Sequence, residues 1–231
     1  MPELPEVEVV KKSLRKNIHD LTIKNIEIRN KYLRYIIDEK LMKKMIKSKV
    51  LSVNRRSKYI FINLNNKFTI MVHLGMTGKI NIIDANKDKH KTSFYYKISD
   101  SKPNHDHLIF KFSKNISIVY NDVRKFGFVK IFKTNDILLN SHLQKLGPEP
   151  LSKKFNLNYF KENTKKRKVF LKDLLMNQKF VAGLGNIYVN EAIFKAKLNP
   201  KLQVRNIPIK KIQTLVYNIK KVLKKAIYEG G

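Results

Sequence analysis

Two residues near the start of the chain, set side by side, could carry covalent chemistry. The first eight residues read Met1-Pro2-Glu3-Leu4-Pro5-Glu6-Val7-Glu8. With Met1 removed, Pro2 becomes the N-terminal residue and its secondary amine is free. An α-amino group titrates near ~8, far below lysine, so a useful fraction is an uncharged nucleophile at neutral pH. Amines of this kind attack carbonyl-like carbons and form Schiff bases. Glu3, one residue on, could deliver a proton to the same substrate. Further along, Arg55-Arg56-Ser57-Lys58-Tyr59-Ile60 places a lysine at a strand entrance, where a cation can orient a phosphate and assist proton transfer. Each stretch also has a plainer reading. Pro2 and Pro5 suit the first turn of a helix, Glu3, Glu6 and Glu8 suit the positive end of its dipole, and a basic turn is commonly a solvated one.

Other motifs supply tools rather than reactants. His73-Leu74-Gly75-Met76-Thr77-Gly78 reads as a strand end and a glycine turn, and Met76 has the flexible thioether that fills irregular gaps. Asp122-Val123-Arg124-Lys125-Phe126-Gly127 reads as a hairpin carrying a cation and an aromatic ring. His105-Asp106-His107 puts two histidines two apart without an evident third metal ligand. Gly183-Leu184-Gly185-Asn186 precedes a helical pattern, where Asn186 can cap the helix and free backbone N–H groups bind phosphate well. The run Lys165-Lys166-Arg167-Lys168 lies upstream of it.

Taken in order, these motifs resemble the bacterial formamidopyrimidine-DNA glycosylases, base-excision enzymes for 8-oxoguanine and ring-opened purines. The resemblance covers essentially Pro2 to Gly231. It implies that Pro2 is the nucleophile, Glu3 the proton donor and Lys58 a catalytic cation beside the reacting sugar. It further implies that Met76 fills the space left by the flipped nucleotide, while Arg124 and Phe126 meet the base opposite. His105, Arg167 and Asn186 inherit contacts to the DNA backbone. Val123 stands where the family has proline, giving a less rigid loop, and Lys125 stands for arginine, losing a planar fork. The related endonuclease VIII branch, which acts on oxidised pyrimidines, usually has glycine where Leu4 stands and is the enzymatic alternative. Outside enzymes, a catalytically inactive DNA-binding remnant and a basic RNA-binding protein remain open.

Composition is consistent with this. A formal charge of +31 and a pI near 10.2 point to a polyanion, although heavy use of Lys, Ile and Asn suggests that coding bias contributes. With no cysteine, disulfides and thiolate zinc sites are excluded. The resemblance implies a zinc finger beyond Gly231, so the chain is expected to lack that clamp and its metal, to need no cofactor, and to bind more weakly. The arginine expected to assist a second elimination would be missing with it. No apolar run approaches membrane-spanning length, there is no signal core, and a monomer in the cytoplasm is expected.

The elements that must position these residues follow from periodicity. Val7, Val10, Leu14 and Ile18 keep helical spacing. From about residue 21 to 133 the chain reads as short alternating strands, Ile23–Ile28, Val50–Val53, Tyr59–Leu64, Phe68–Val72, Lys79–Ile83, Phe94–Ile98, Leu108–Phe112, Ile116–Tyr120 and Phe128–Phe132, with a helix near Leu41–Ile46 and a long loop over 84–106. Beyond Leu146-Gly147-Pro148-Glu149-Pro150-Leu151 four helices are expected: 155–163, 169–177, 186–197 and 208–228. The fold class is therefore α+β: residues 2–133 form an N-terminal helix plus antiparallel β-sandwich, 134–151 a linker, and 152–231 a helical domain, in which the resemblance implies a helix–two-turn–helix element.

Overall fold

A computed structural model gives the structure of the protein and describes residues 2–94 and 101–231. It separates into two compact units. The first comprises Pro2, residues 6–139 and Gly230–Gly231, and the second Glu3–Pro5 with residues 140–229.

The first unit is built on α1 (Leu4–Ile18) and two antiparallel sheets. The five-stranded sheet runs β1-β7-β8-β5-β6, with β1 Ile23–Ile28, β5 Lys79–Ile83, β6 Lys89–Lys91, β7 Asp106–Phe112 and β8 Ser117–Asn121. The four-stranded sheet runs β2-β3-β4-β9, with β2 Val50–Arg56, β3 Tyr59–Leu64, β4 Phe68–His73 and β9 Phe128–Lys133. A short α2, Glu39–Lys43, is capped by the Asp38 side chain, which accepts from the Leu41 N–H. Side chains two apart on a strand share a face, so Ile60, Ile62 and Leu64 of β3 turn together into the core, while several strands are buried on their other face as well. Val7, Val10, Leu14 and Ile18 of α1, Val53, Ile60, Ile62 and Ile70 of one sheet, and Ile80, Ile82, Phe110 and Ile118 of the other share a single buried core.

The second unit is helical: α3 Ser141–Gln144, α4 Leu157–Thr164, α5 Leu171–Met176, α6 Asn186–Lys195 and α7 Ile209–Glu229. Its core gathers Phe155, Phe160, Leu174, Leu175, Val189, Leu215, Ile219 and Leu223. Phe180 packs edge-on against both Phe155 and Phe160, with centroids 6.3 and 5.2 Å away, the orientation aromatic quadrupoles favour.

Several details differ from the sequence reading. Strand β6 lies inside what reads as loop, because a three-residue edge strand is too short to show alternation. Of the expected strand Phe94–Ile98, only Phe94 falls within the described residues, as a turn residue whose N–H donates to the Gly230 carbonyl at 3.1 Å. The Pro-Gly-rich segment read as linker is bonded into the helical unit: Gly147 N–H donates to the Gln178 carbonyl at 2.8 Å and Ala182 N–H to that of Pro148 at 3.0 Å. Proline and glycine mark a turn, but they do not reveal whether the turn is free or docked.

Truncating either core should be costly. Leu14→Ala in the sandwich and Leu175→Ala in the helical unit, both fully buried, are each expected to lose about 2–5 kcal/mol. Denaturant midpoints measure the loss, and fragment-specific hydrogen exchange assigns it to one unit.

Candidate nucleic-acid interface and catalytic residues

In the sandwich unit the interface candidates converge on two turns. The β4–β5 turn carries Gly75 and Met76, and the β8–β9 loop carries Arg124 and Phe126. They meet because Asp122, fully buried, bonds both. One carboxylate oxygen accepts from the Thr77 hydroxyl at 2.5 Å. The other accepts from the Gly127 N–H at 2.9 Å and the Tyr120 hydroxyl at 3.3 Å. Thr77 Oγ1 in turn accepts from the Arg124 N–H at 3.1 Å. Gly75 has φ +61°, and a Cβ there would lie 2.9 Å from Gly127 Cα, so the two backbones touch where only glycine fits.

Beside this brace, Met76, Arg124 and Phe126 face outward. Met76 and Phe126 are 41% and 45% exposed, and the Arg124 guanidinium lies 4.4 Å from the Phe126 ring centroid. With Arg34, His73, Gly75 and Lys125 they line a groove of about 620 Å³. A flexible thioether, a flat ring and a stacked guanidinium suit a space between bases. Val123 is exposed, and the loop draws its order from Asp122 rather than from proline.

Lys58 occupies the β2–β3 turn, next to Ser57 in the left-handed region at φ 56°. Arg55 holds that turn: its Nη1 donates to the Ser57 carbonyl at 2.8 Å, and its Nε to Glu8 of α1 at 2.7 Å. Glu8 also accepts from Lys11 at 2.7 Å. Burial pushes the Glu8 carboxyl up, but the Lys11 and Arg55 cations outweigh it and hold the group below its ordinary 4.5.

His105 and His107 have different surroundings. His107 is buried, its Nε2 2.7 Å from the Asp122 carbonyl, so it supports the loop. His105 is half-buried at the end of a short 3-10 turn, and its carbonyl accepts from the Asp122 N–H at 3.1 Å. Among the described residues no group of three or more His, Asp or Glu side chains could hold a metal ion.

In the helical unit the arrangement corrects one expectation. Asn186 does not cap α6. Gly185 is the N-cap residue and offers no side chain; the bond comes from Glu3, 184 positions earlier, whose Oε1 accepts from the Ile187 N–H at 2.9 Å. The amide expected to meet phosphate therefore meets a carboxylate, which suits the positive end of the helix. A Cβ on Gly185 would lie 2.5 Å from Glu3 Oε1, so glycine is required for the approach. Gly183, at φ +94°, accepts through its carbonyl from the Leu4 N–H at 3.1 Å. The Gln178 side chain secures the same turn, accepting from Gly183 N–H at 2.8 Å and donating to the Leu184 carbonyl at 2.7 Å. Asn186 is exposed and takes a 3.3 Å contact from Asn190 Nδ2. Arg167 sits in the exposed run between α4 and α5.

Met76, Arg124 and Phe126 thus share one groove; Lys58 and His105 lie elsewhere on the sandwich unit, where Pro2 is also buried. Arg34, Asp122's bracing role and Gln178 escape the sequence reading. No periodicity marks Arg34 or Gln178, whereas a buried Asp ahead of a basic-aromatic loop is at least visible as an acid in a basic stretch.

The Glu8 pair has a pH signature. Because the folded carboxyl titrates below its ordinary value, its stabilising contribution is present above pH 4.5 and is lost as pH falls through the lowered folded value. Glu8→Gln is expected to reduce the fall in stability on acidification below about pH 4.5, measured by thermal unfolding across a pH series.

Comparison with known proteins places this geometry. The profile of the formamidopyrimidine-DNA glycosylase N-terminal domain matches residues 1–129, and that of the formamidopyrimidine-DNA glycosylase H2TH domain matches residues 146–231. Formamidopyrimidine-DNA glycosylase of Rickettsia felis is 37% identical over the whole chain, which covers 79% of that relative; the Rickettsia canadensis protein is 38% identical, 80% of it covered. Among solved structures, Lactococcus lactis Fpg in complex with abasic-site DNA superposes with TM-score 0.85 at 32% identity, over 100% of this chain and 81% of that one. A mutant of the Lactococcus protein in complex with Fapy-dG DNA gives 0.86 at 33% identity, over 100% and 80%. The chain belongs to the formamidopyrimidine-DNA glycosylase family.

Proposed function

We propose that this chain, a DNA glycosylase of base excision repair by family, removes oxidised purines such as 8-oxoguanine and formamidopyrimidines from double-stranded DNA and cleaves the resulting site as a lyase. The groove carries the reading: two separate motifs deliver Met76, Arg124 and Phe126 to one exposed rim over a braced loop. Extruding a base leaves a hole in the stack and an unpaired partner. Met76 enters the hole, and Arg124 and Phe126 engage the orphaned base.

The chemistry starts once Met1 is removed. The Pro2 imino nitrogen attacks the sugar anomeric carbon, forming the C–N bond as the bond to the base breaks. The base leaves with the electron pair and takes a proton from water. The Pro2 N–H proton passes to the Glu3 carboxylate, held by the Ile187 amide, and Glu3 returns it to the ring oxygen as the sugar opens to an iminium. Loss of a proton from the neighbouring carbon then expels the 3′ phosphate, with Lys58 assisting near that phosphate. His105, Arg167 and Asn186 contact the DNA backbone. These steps use no metal or redox group, and the cysteine-free chain offers no thiolate site for one. The Lactococcus relative crystallised with abasic-site DNA supports the same substrate class here.

Borohydride should trap a covalent adduct between the chain and an 8-oxoguanine duplex, and Pro2→Gly should abolish it. No adduct from a preparation whose mass shows Met1 removed would overturn the reading. Gly185→Ala, by moving Glu3, is expected to slow single-turnover excision about 10²-fold while duplex affinity changes little. Phe126→Ala should weaken lesion-duplex binding by about tenfold, consistent with ~1–3 kcal/mol per stacked base, read by fluorescence anisotropy.

A further inference from the structure

The longest helix carries a face for which the repair reading has no use. α7 runs Ile209–Glu229 and holds six lysines against a single acid, Glu229. Its apolar residues Ile212, Leu215, Val216, Ile219, Val222 and Leu223 are buried in the helical unit's core. The opposite face repeats at helical spacing: Lys210, Thr214, Tyr217, Lys221, then Lys224 and Lys225, all exposed. Tyr217 is 62% exposed, and Lys221 Nζ lies 5.8 Å from its ring centroid.

A solvated helix surface ordinarily mixes both signs, with Glu four residues ahead of Lys. Here like charges recur at that spacing, Lys220 with Lys224 and Lys221 with Lys225, which weakens a helix on its own. Lys220 has an internal role, donating to the Ser152 carbonyl at 3.0 Å, and Lys225 faces Glu229 at 3.6 Å. Among the described residues Lys210, Lys221 and Lys224 have no ion-pair partner. A row of cations about 22 Å long, at 1.5 Å per residue, is complementary to a phosphate backbone. A lipid surface would need the helix's apolar side, which is buried, and a partner helix would need an apolar seam, which this face lacks. An exposed tyrosine amid lysines adds a platform on which an unpaired base can stack.

We propose that the outward face of α7 is a second nucleic-acid surface, taking single-stranded nucleic acid through Lys210, Lys221, Lys224 and Lys225 with Tyr217 stacking on a base. It shares no residue with the Met76–Arg124–Phe126 groove, so it stands or falls separately from the repair reading.

The test uses the full chain and a fluorescent oligothymidylate, with anisotropy measured across a salt series. Replacing Lys210, Lys221, Lys224 and Lys225 together by Gln should weaken binding at least about tenfold at low salt and reduce the log–log salt slope by about 3, at ~0.7 per phosphate contact. Tyr217→Ala should cost roughly 5- to 100-fold, and Tyr217→Phe should retain binding. Adduct trapping on the lesion duplex should be unchanged in all of these. A control replacing the exposed Lys40, Lys43, Lys44 and Lys47 by Gln removes the same charge elsewhere. Equal losses in control and α7 variants, or no effect of Tyr217→Ala, would overturn the proposal; so would preferential binding of an acidic peptide to the α7 face.

Discussion

A single buried carboxylate holds together the two turns on which the proposed interface of the sandwich unit depends. Removing Asp122 from water is costly unless its lone pairs are met, and they are met by Thr77, Gly127 and Tyr120. Those donors come from the strand preceding the Asp, its own loop, and a turn 45 residues earlier. Satisfying one acid therefore fixes two loops against each other, with Met76, Arg124 and Phe126 exposed upon them. The same loop takes support from His107 underneath, whose ring meets the Asp122 carbonyl.

The helical unit uses a carboxylate differently. Glu3 closes the first turn of α6 from the far end of the sequence, where a local Ser, Thr or Asp would ordinarily serve. Stability and proposed chemistry meet in that group. The helix start orders the carboxyl, and the order is what a proton donor needs, since proton transfer depends on geometry before acidity. Gly185 is the cost of the approach: it gives up its own side chain at the N-cap so that a distant one can enter.

Charge is unevenly employed. Arg55 works internally, tying α1 through Glu8 to the turn that carries Lys58. The lysines along the outward side of α7 do no comparable work within the fold, and a polyanionic partner would offset their mutual repulsion. Coding bias can enrich lysine throughout a chain, but it does not set lysines and a tyrosine on one helical stripe above a fully buried apolar one.

The sequence by itself determined the element types and the two-unit plan, because alternation and 3.6-residue periodicity report which face meets a core: Val7, Val10, Leu14 and Ile18 lie in the core of the first unit as their spacing requires. It also pointed to Met76, Arg124 and Phe126, which the structure brings to one groove; the roles proposed for them come from the family resemblance. Only tertiary structure decided who holds them. That Arg34 and His73 share their groove, that Gln178 secures the Gly183–Gly185 turn, and that Glu3 rather than Asn186 bonds the start of α6 all depend on contacts between residues far apart in the chain. A hydrogen bond between positions 3 and 187 leaves no periodic trace, and a docked Gly-Pro segment reads the same as a free one. Short elements escaped for a related reason: β6 takes its shape from pairing with β5, and three residues are too few to announce it.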